Sequence, residues 1–380
     1  MKWFLLVALL IPCWVIGVQY EIDLVVLHET AKFLIHDFTR VYAQNGNLGR
    51  YFYGPFSLVL IKPLGFLSFS FVKYFWLCLQ TVCYFFFWNI LNRLFPVLRD
   101  KKYFWGWFLV WIVSINPIHN NYQSNNIQLM LATLMLWAEL WAQNPSDTKQ
   151  TLGGVLMTLA AGIKVFPAFL VVYYFLAKSR ATQKGILLGT LMVVISPFLF
   201  LGLNKSLFLY QGFFSNLTTY SAENSLTRTN DILCLPSLLA RFQVSSTVNH
   251  LIILSISALF FIWVLVSKRS PKFAMREPYF WSLAWALSVF LNPSTRPHYF
   301  IFYVPAFCSF VNYCSIRAND HFVKMMIGIS TLLIAFTAEG VVGKNWNEWF
   351  EANSLPTYGM AFLCFSMIWM IHRNPARSAT

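Results

Sequence analysis

Charged side chains are scarce in this sequence, and acids are scarcer still. They make up 11% of the 380 residues, against about 25% in soluble domains, and Asp and Glu together number only 14. Hydrophobic residues reach 58%. Apolar windows recur along the chain, each about long enough to cross a hydrocarbon core of about 30 Å. These proportions exclude an ordinary soluble domain and predict an all-α, polytopic membrane protein, organised as a single domain over residues 1–380.

Metal-binding and disulfide motifs are also missing. The seven cysteines include no CxxC pair and no His/Cys metal spacing, and most lie inside apolar segments. We expect them to be buried apolar side chains. We therefore expect no metal and no other cofactor, although the early acids Asp23, Glu29 and Asp37 leave a divalent cation open.

The net charge of +14 reflects topology rather than nucleic-acid binding, because the basic residues are scattered among helix ends. Placing the Lys and Arg clusters in the cytoplasm gives about 12 crossings with both termini inside. Residues 19–53 then form the first outer loop and residues 204–247 a long outer loop. A chain of this composition has membrane lipids, and not nucleic acid, as its predicted partners. The clearest predicted spans are 3–18, 72–94, 103–116, 125–143, 185–203, 248–267, 277–292, 298–316, 322–342 and 357–372.

Two apolar regions do not read as simple spans. Residues 54–70 carry two prolines and a lysine, which predicts a short or re-entrant segment. Residues 152–177 are interrupted at 162–167 (GIKVFP), and a broken backbone at membrane depth requires a cavity or protein around it. The chain begins like a signal peptide, with a lysine followed by an apolar run. No small-x-small cleavage site follows, so we expect this segment to be retained as a helix.

Four of the 14 acids lie in the first outer loop: Glu21, Asp23, Glu29 and Asp37. Apolar residues recur there at helical spacing between positions 24 and 38, which predicts an amphipathic helix on the membrane surface. Asp23 has two open interpretations, the N-cap of that helix or a residue with a chemical role.

Other polar clusters share the outer face in this topology. Residues 116–126 contain five asparagines and a glutamine, which suit sugar hydroxyls but also suit an ordinary polar turn. Lys164 lies in the broken segment, where it faces a cavity or reaches to the interface. Residues 292–299 place a cation and an imidazole at the start of a helix, a favourable place for an anion. Glu139 and Glu339 are further acids inside apolar segments.

Taken in order, these motifs resemble the GT-C class of membrane glycosyltransferases, and most closely glycosyltransferase family 87, typified by polyprenol-phosphate-mannose-dependent α-mannosyltransferases. The matching features are Asp23 with Leu24, Tyr42, the return to the membrane at 51–55 (YFYGP), Pro63, and the segments 122–125 (YQSN), 162–167 (GIKVFP) and 293–299 (PSTRPHY). Three departures occur: Tyr122 replaces a glycine, the spacing between Gly162 and Lys164 is short, and residues 223–226 read ENSL instead of NQSL.

The resemblance implies an inverting hexosyltransferase, with mannose the expected sugar. The donor would be a polyprenyl-phosphate sugar and the acceptor a glycolipid or glycan, on the outer, periplasmic side of a bacterial cytoplasmic membrane. Asp23 would be the general base. The other implied site residues are Lys164, Arg296 and His298 at the donor phosphate, and Tyr53, Gln123, Asn125 and Asn224 at the sugar or acceptor.

A second hypothesis is a transporter or a flippase for lipid-linked sugars. Broken helices and an intramembrane lysine suit a carrier. However, no inverted repeat is evident, and the polar motifs gather on one face, whereas a carrier needs access from both sides.

Overall fold

The computed structural model describes residues 2–42, 53–226, 232–335 and 342–373, with the backbone alone for 220–226 and 344. Helices and connecting turns account for all of these residues, and no strand occurs among them. The first ten α-helices are α1 Lys2–Gln19, α2 Ile22–His36, α3 Pro55–Ile61, α4 Phe69–Leu94, α5 Phe104–Gln123, α6 Gln128–Ala142, α7 Asp147–Ile163, α8 Ala168–Ala177, α9 Arg180–Leu201 and α10 Leu203–Leu226. The remaining ones are α11 Leu235–Arg241, α12 Ser246–Lys268, α13 Phe273–Phe290, α14 Val304–Ile316, α15 His321–Ala335, α16 Lys344–Ala352 and α17 Leu355–Arg373.

Six helical segments of the described chain are long and apolar enough to cross a membrane. Four further apolar helices are shorter, at Pro55–Phe66, Gln128–Ala142, Ala168–Ala177 and His321–Ala335. The prediction of an all-α membrane protein is therefore confirmed, while the count of about 12 crossings stays a prediction. The six long segments are α1, α4, α9, α12, α17 and the stretch Pro297–Ile316, which joins a 3-10 helix to α14.

Both predicted interruptions are present. Residues 54–70 contain the short α3 followed by a 3-10 helix over Lys62–Phe66. The other interruption separates α7, which ends at Ile163, from α8, which begins at Ala168. Pro167 explains this break, because proline has no backbone N–H and disfavours helical geometry in the residue before it. Whether the first of these segments is re-entrant stays a prediction.

Much of the predicted outer loop 204–247 is helical, and its place on the outer face stays a prediction. It contains most of α10 and the whole of α11. α10 is a long helix, but it contains no apolar window of the kind that marks a membrane span. Gly202 separates α10 from α9 with a φ of 86°, a conformation that glycine adopts without steric cost.

The helix predicted in the first outer loop forms as α2. The residues of its apolar side are buried in the protein: Leu24, Leu27, Ala31 and Leu34. The location of α2 on the membrane surface stays a prediction. Its N-cap position is occupied by Glu21, so the interpretation of Asp23 as the N-cap is wrong.

The chain divides into two compact units. The first comprises Met1–Ile90, Ile118–Val171 and Lys178–Tyr220. In it, α7 packs closely against α9 at glycine positions: an added Cβ at Gly185 would lie 1.9 Å from the carbonyl oxygen of Thr151, and one at Gly154 would lie 2.2 Å from that of Thr182. Only glycine permits this backbone approach, which is a common way for helices to associate in membranes.

The same unit holds a buried ion pair. Lys178 Nζ lies 2.6 Å from Glu139 Oε1, and the amide of Gln143 donates to that oxygen at 2.7 Å. Glu139 is fully buried. These contacts give this intramembrane acid a structural partner. The second acid of this kind, Glu339, lies outside the described residues.

The second unit comprises Leu91–Pro117, Val172–Ala177 and Ser221–Thr380. Its centre is α13, whose residues from Tyr279 to Phe290 are all buried. α13 packs against α14 and α17, and α17 packs in turn against α15. By contrast, α12 is mostly exposed and apolar, as expected for a helix that faces lipid.

Candidate active site

Asp23 lies in the first turn of α2 and is held by a turn that follows α5. Its backbone N–H donates to the carbonyl of Ser124 at 3.1 Å. The side-chain amide of Asn126 donates to Asp23 Oδ2. Asn126 is 3% exposed, and its own Oδ1 accepts from the backbone N–H of Gln128 at 3.3 Å. That second bond fixes the amide so that its NH₂ group faces the carboxylate.

The turn itself is anchored by Asn125, which is fully buried and has a φ of 50°. Its amide donates to the carbonyls of Gly17 at 2.9 Å and Tyr20 at 2.5 Å, at the end of α1. Its backbone carbonyl accepts from the indole of Trp76 at 3.0 Å. Asn125 thus ties the turn to α1 and α4, and in doing so fixes the place of Asp23. Its predicted contact with sugar hydroxyls stays a prediction.

Gln123 ends α5 two residues before Asn125 and is half-buried. The turn that follows Gln123 therefore reaches the start of α2 through the side chain of Asn126. Within it, the backbone N–H of Asn126 donates to the carbonyl of Asn121 at 2.9 Å. Asn121 also donates through its side chain to Gln80 at 2.7 Å, which extends the network to α4.

Lys164 and Tyr53 lie together where α7 ends. The ammonium of Lys164 is 5.1 Å from the centre of the Tyr53 ring, a distance at which a cation is attracted by an aromatic face. The adjoining backbones are close as well, because a Cβ at Gly54 would lie 3.0 Å from the carbonyl oxygen of Gly162. Tyr42, another residue of the motif series, donates its hydroxyl to the carbonyl of Tyr53 at 2.9 Å.

An apolar cavity of about 230 Å³ lies beside these polar residues in the first unit. Leu27, one turn after Asp23 on the same face of α2, contributes to its wall. So do Tyr53, Ile127 next to Asn126, and Ile163 next to Lys164. Tyr53 thus lines the cavity directly, whereas Asp23 and Lys164 are linked to it through Leu27 and Ile163.

Arg296 and His298 belong to the second unit, at the start of the 3-10 helix Pro297–Tyr303. Arg296 is exposed, and His298 is 7% exposed with its ring centre 4.9 Å from that of Tyr299. Thr295 fixes the preceding turn by donating its hydroxyl to the carbonyl of Val289 at 2.7 Å. Arg296 and His298 therefore both lie at the start of a 3-10 helix, after a turn that Thr295 anchors. The side chain of Asn224 and residues 51–52 of the aromatic motif lie outside what the structure describes.

The other early acids have ordinary partners. Glu21 pairs with Lys73, Glu29 pairs with Lys32 at 2.8 Å, and Asp37 accepts from the hydroxyl of Thr39 at 2.5 Å. Among the described residues, no group of three or more His, Cys, Asp or Glu side chains is placed to hold a metal ion. Metal independence stays a prediction.

Asn126 is the residue of this site that the sequence analysis did not single out. It belongs to the asparagine-rich segment 116–126, so its residue type was noticed but its partner was not. Its contact with Asp23 joins residues 103 positions apart in the chain, and no local pattern identifies such a pair.

The fold and these contacts define a helical membrane protein with an anchored carboxylate beside an apolar cavity. Residues 51–293 match the model of glycosyltransferase family 87. Because this match covers more than half of the chain, the protein belongs to glycosyltransferase family 87, and the predicted membership of this family is confirmed. No curated protein and no solved structure matches the chain significantly. The matched region includes Tyr53, Gln123, Asn125 and Lys164, whereas Asp23, Arg296 and His298 lie outside it.

Proposed function

We propose that this glycosyltransferase moves a hexose, with mannose the expected sugar, from a polyprenyl-phosphate donor to a hydroxyl of a lipid or glycan acceptor, with inversion at the anomeric carbon. Asp23 is the general base. The observation that carries this proposal is the Asp23 carboxylate, held by Asn126 one helical turn from Leu27 in the wall of the apolar cavity. The GT-C class, the mannosyl donor and the outer face of a bacterial cytoplasmic membrane follow from the motif resemblance.

In the proposed reaction the acceptor oxygen attacks the anomeric carbon while Asp23 takes the hydroxyl proton. The bond between the anomeric carbon and the phosphate oxygen breaks, and its electron pair leaves with the polyprenyl phosphate. Asn126 donates to Oδ2 and so helps to orient the carboxylate that receives the proton. General-base assistance of this kind contributes about 100- to 10,000-fold in rate.

The departing phosphate needs positive charge or hydrogen-bond donors. We propose that Lys164 supplies one cation, and that Arg296 and His298 supply a second cation and a proton donor. Lys164 is supported by its place at the helix break, beside the Tyr53 ring and the cavity wall. Arg296 and His298 are supported by their position at the start of a 3-10 helix and by the late motif of the family.

The apolar cavity supports a lipid-linked substrate. Its walls are almost entirely hydrocarbon, and it lies within one helical turn of Asp23 through Leu27. A prenyl chain has no polar group to satisfy, so it suits walls of this kind, and dispersion contacts with them hold it in place. We propose that the chain end nearest the phosphate occupies this cavity.

The Asp23→Asn variant tests the assignment of the base. We expect transfer from a polyprenyl-phosphate-mannose donor, measured in membranes, to fall by about 100- to 10,000-fold while expression and membrane insertion stay near wild type. Asp37→Asn is the matched control, because it makes the same change in the same segment. The amide oxygen of the new side chain can still accept hydrogen bonds from the backbone N–H and the hydroxyl of Thr39. Wild-type transfer by Asp23→Asn would show that another residue is the base.

The acceptor and the sugar require a different measurement. Mass spectrometry of glycans and glycolipids from a deletion strain should show one species lost, and re-expression of the wild-type chain should restore it. Loss of a species that contains no hexose would contradict the proposed transfer.

A carrier of lipid-linked sugars is the second candidate, favoured by the helix break between Ile163 and Ala168 with Lys164 in it. Reconstituted vesicles separate the two functions. A carrier moves substrate across the bilayer with no acceptor present, whereas the proposed enzyme consumes donor only when an acceptor hydroxyl is supplied.

A further inference from the structure

A polar recess of about 560 Å³ opens in the second unit, and none of the candidate active-site residues lines it. It lies where two candidate membrane spans end, since Pro297–Ile316 stops at its edge and Leu355–Arg373 finishes in its wall. The residues between α14 and α15 complete it. A recess that borders the ends of two spans lies at the boundary between lipid and water, at the depth of lipid headgroups.

The recess is basic. Arg317 and Arg373 line it, together with the titratable imidazole of His321. Its acid, Asp320, already accepts hydrogen bonds from the hydroxyl of Tyr313 at 2.7 Å and the backbone N–H of Val323 at 3.2 Å. These bonds hold the carboxylate at the start of α15, and two guanidinium charges against one carboxylate leave the recess with a net positive charge.

Aromatic side chains form an apolar side to the recess. Phe322 and Trp369 line it and contact each other with ring centres 4.6 Å apart, and the guanidinium of Arg373 lies 4.9 Å from the Trp369 ring. Aromatic rings at this depth are typical of membrane interfaces. A ligand that fits is therefore anionic at one end and apolar at the other.

We propose that this recess binds the phosphate headgroup of an anionic membrane phospholipid. Arginine recognises a phosphate through two parallel hydrogen bonds, and the two guanidinium groups provide such donors. The glycerol and the first part of the acyl chains lie against Phe322 and Trp369. Basic recesses at the ends of transmembrane helices are suited to such headgroups.

Thermal unfolding of the purified full chain in a neutral detergent tests the site. Phosphatidylglycerol should raise the melting temperature more than phosphatidylcholine does, because a ligand bound only to the folded state stabilises it. The double variant Arg317→Gln with Arg373→Gln should bind phosphatidylglycerol about 30-fold more weakly, about fivefold for each cation removed. The matched control, Lys101→Gln with Lys102→Gln, removes two exposed cations elsewhere in the same unit and should bind like wild type.

Three outcomes would overturn the proposal. One is equal stabilisation by both lipids. Another is equal loss in the two double variants, which would indicate a general effect of net charge. The third is the same stabilisation by inorganic phosphate alone, which would indicate a site for a free anion. If the Gln variant fails to fold, Arg317→Lys with Arg373→Lys keeps the charge but removes the paired donors, and it should still lose part of the preference for phosphatidylglycerol.

Discussion

The hydrogen bond from Asn126 to Asp23 gives the sharpest prediction about this protein. Asn126→Ala removes the donor that turns the Asp23 carboxylate, while the backbone bond from Asp23 to Ser124 remains. The base stays present, but it loses the hydrogen bond that Asn126 gives to its Oδ2. We therefore expect kcat to fall and KM to change little, because neither side chain is needed to hold the donor lipid.

The magnitude follows from the type of bond. A hydrogen bond to a charged group contributes about 1.5–3 kcal/mol, and each 1.36 kcal/mol corresponds to a tenfold change in rate. The loss of orientation should therefore lower kcat by about 10- to 150-fold. This is less than the effect of Asp23→Asn, since the base remains.

Two further variants make this prediction testable. Asn126→Asp keeps an acceptor for the N–H of Gln128 but places an oxygen against the Asp23 carboxylate, so it should also lower kcat. Asn249→Ala is the matched control: Asn249 is fully buried and donates to the carbonyl of Pro236 at 2.9 Å in the second unit. It should cost stability and leave kcat unchanged.

The assay is steady-state transfer of labelled hexose by purified protein, with thermal unfolding measured in parallel. Wild-type kcat in Asn126→Ala would refute the orienting role. Wild-type kcat in Asn126→Asp, with a loss in Asn126→Ala alone, would show that Asn126 acts only as a cap for the following helix.

Three other predictions concern the cavity, the helix contact and pH. Leu27→Trp should fill part of the apolar cavity and raise KM for a long-chain donor at least severalfold, with a smaller effect on a donor of one or two isoprene units; equal effects would place the chain elsewhere. Gly185→Ala puts a methyl 1.9 Å from the Thr151 carbonyl, so it should destabilise the fold by about 1–3 kcal/mol, against no loss for Gly328→Ala, where nothing lies within 4 Å. Burial raises the pKa of Asp320, but hydrogen bonds from Tyr313 and Val323 outweigh this and the net pKa is lowered. Asp320 therefore stabilises the fold above the ordinary carboxyl pKa of about 4, and this stabilisation is lost as the pH falls through the lowered value; Asp320→Asn should flatten that acid limb in a melting curve measured against pH.

Much of the fold could be predicted from local pattern. The spans 72–94 and 248–267 correspond to α4 and α12 because a helix in lipid needs a continuous apolar run, which is visible in any window of the right length. The break at 162–167 was equally visible, because proline and glycine act on their own backbone. The helices of 204–247 were missed, since α10 carries no apolar run of that kind.

The site divides in the same way. The sequence predicted the residue types that the chemistry requires: an acid in the predicted first outer loop and a lysine at a helix break. The family was predictable as well, because the order of motifs along the chain is a property of sequence. The partner of Asp23 was not. It depends on a turn in which Asn125 adopts a positive φ and binds two carbonyls at the end of α1, more than 100 residues away.

Sequence alone therefore determined that this chain is a helical membrane protein of glycosyltransferase family 87, and which side chains are chemically suited to its reaction. Tertiary structure decided which asparagine bonds to the acid, that Glu139 is committed to Lys178, and that Leu27, one helical turn after Asp23, lines an apolar cavity. The physical reason is range. Helix formation depends on neighbours a few residues apart, whereas the direction of a carboxylate depends on donors that only packing brings within 3 Å or so of it.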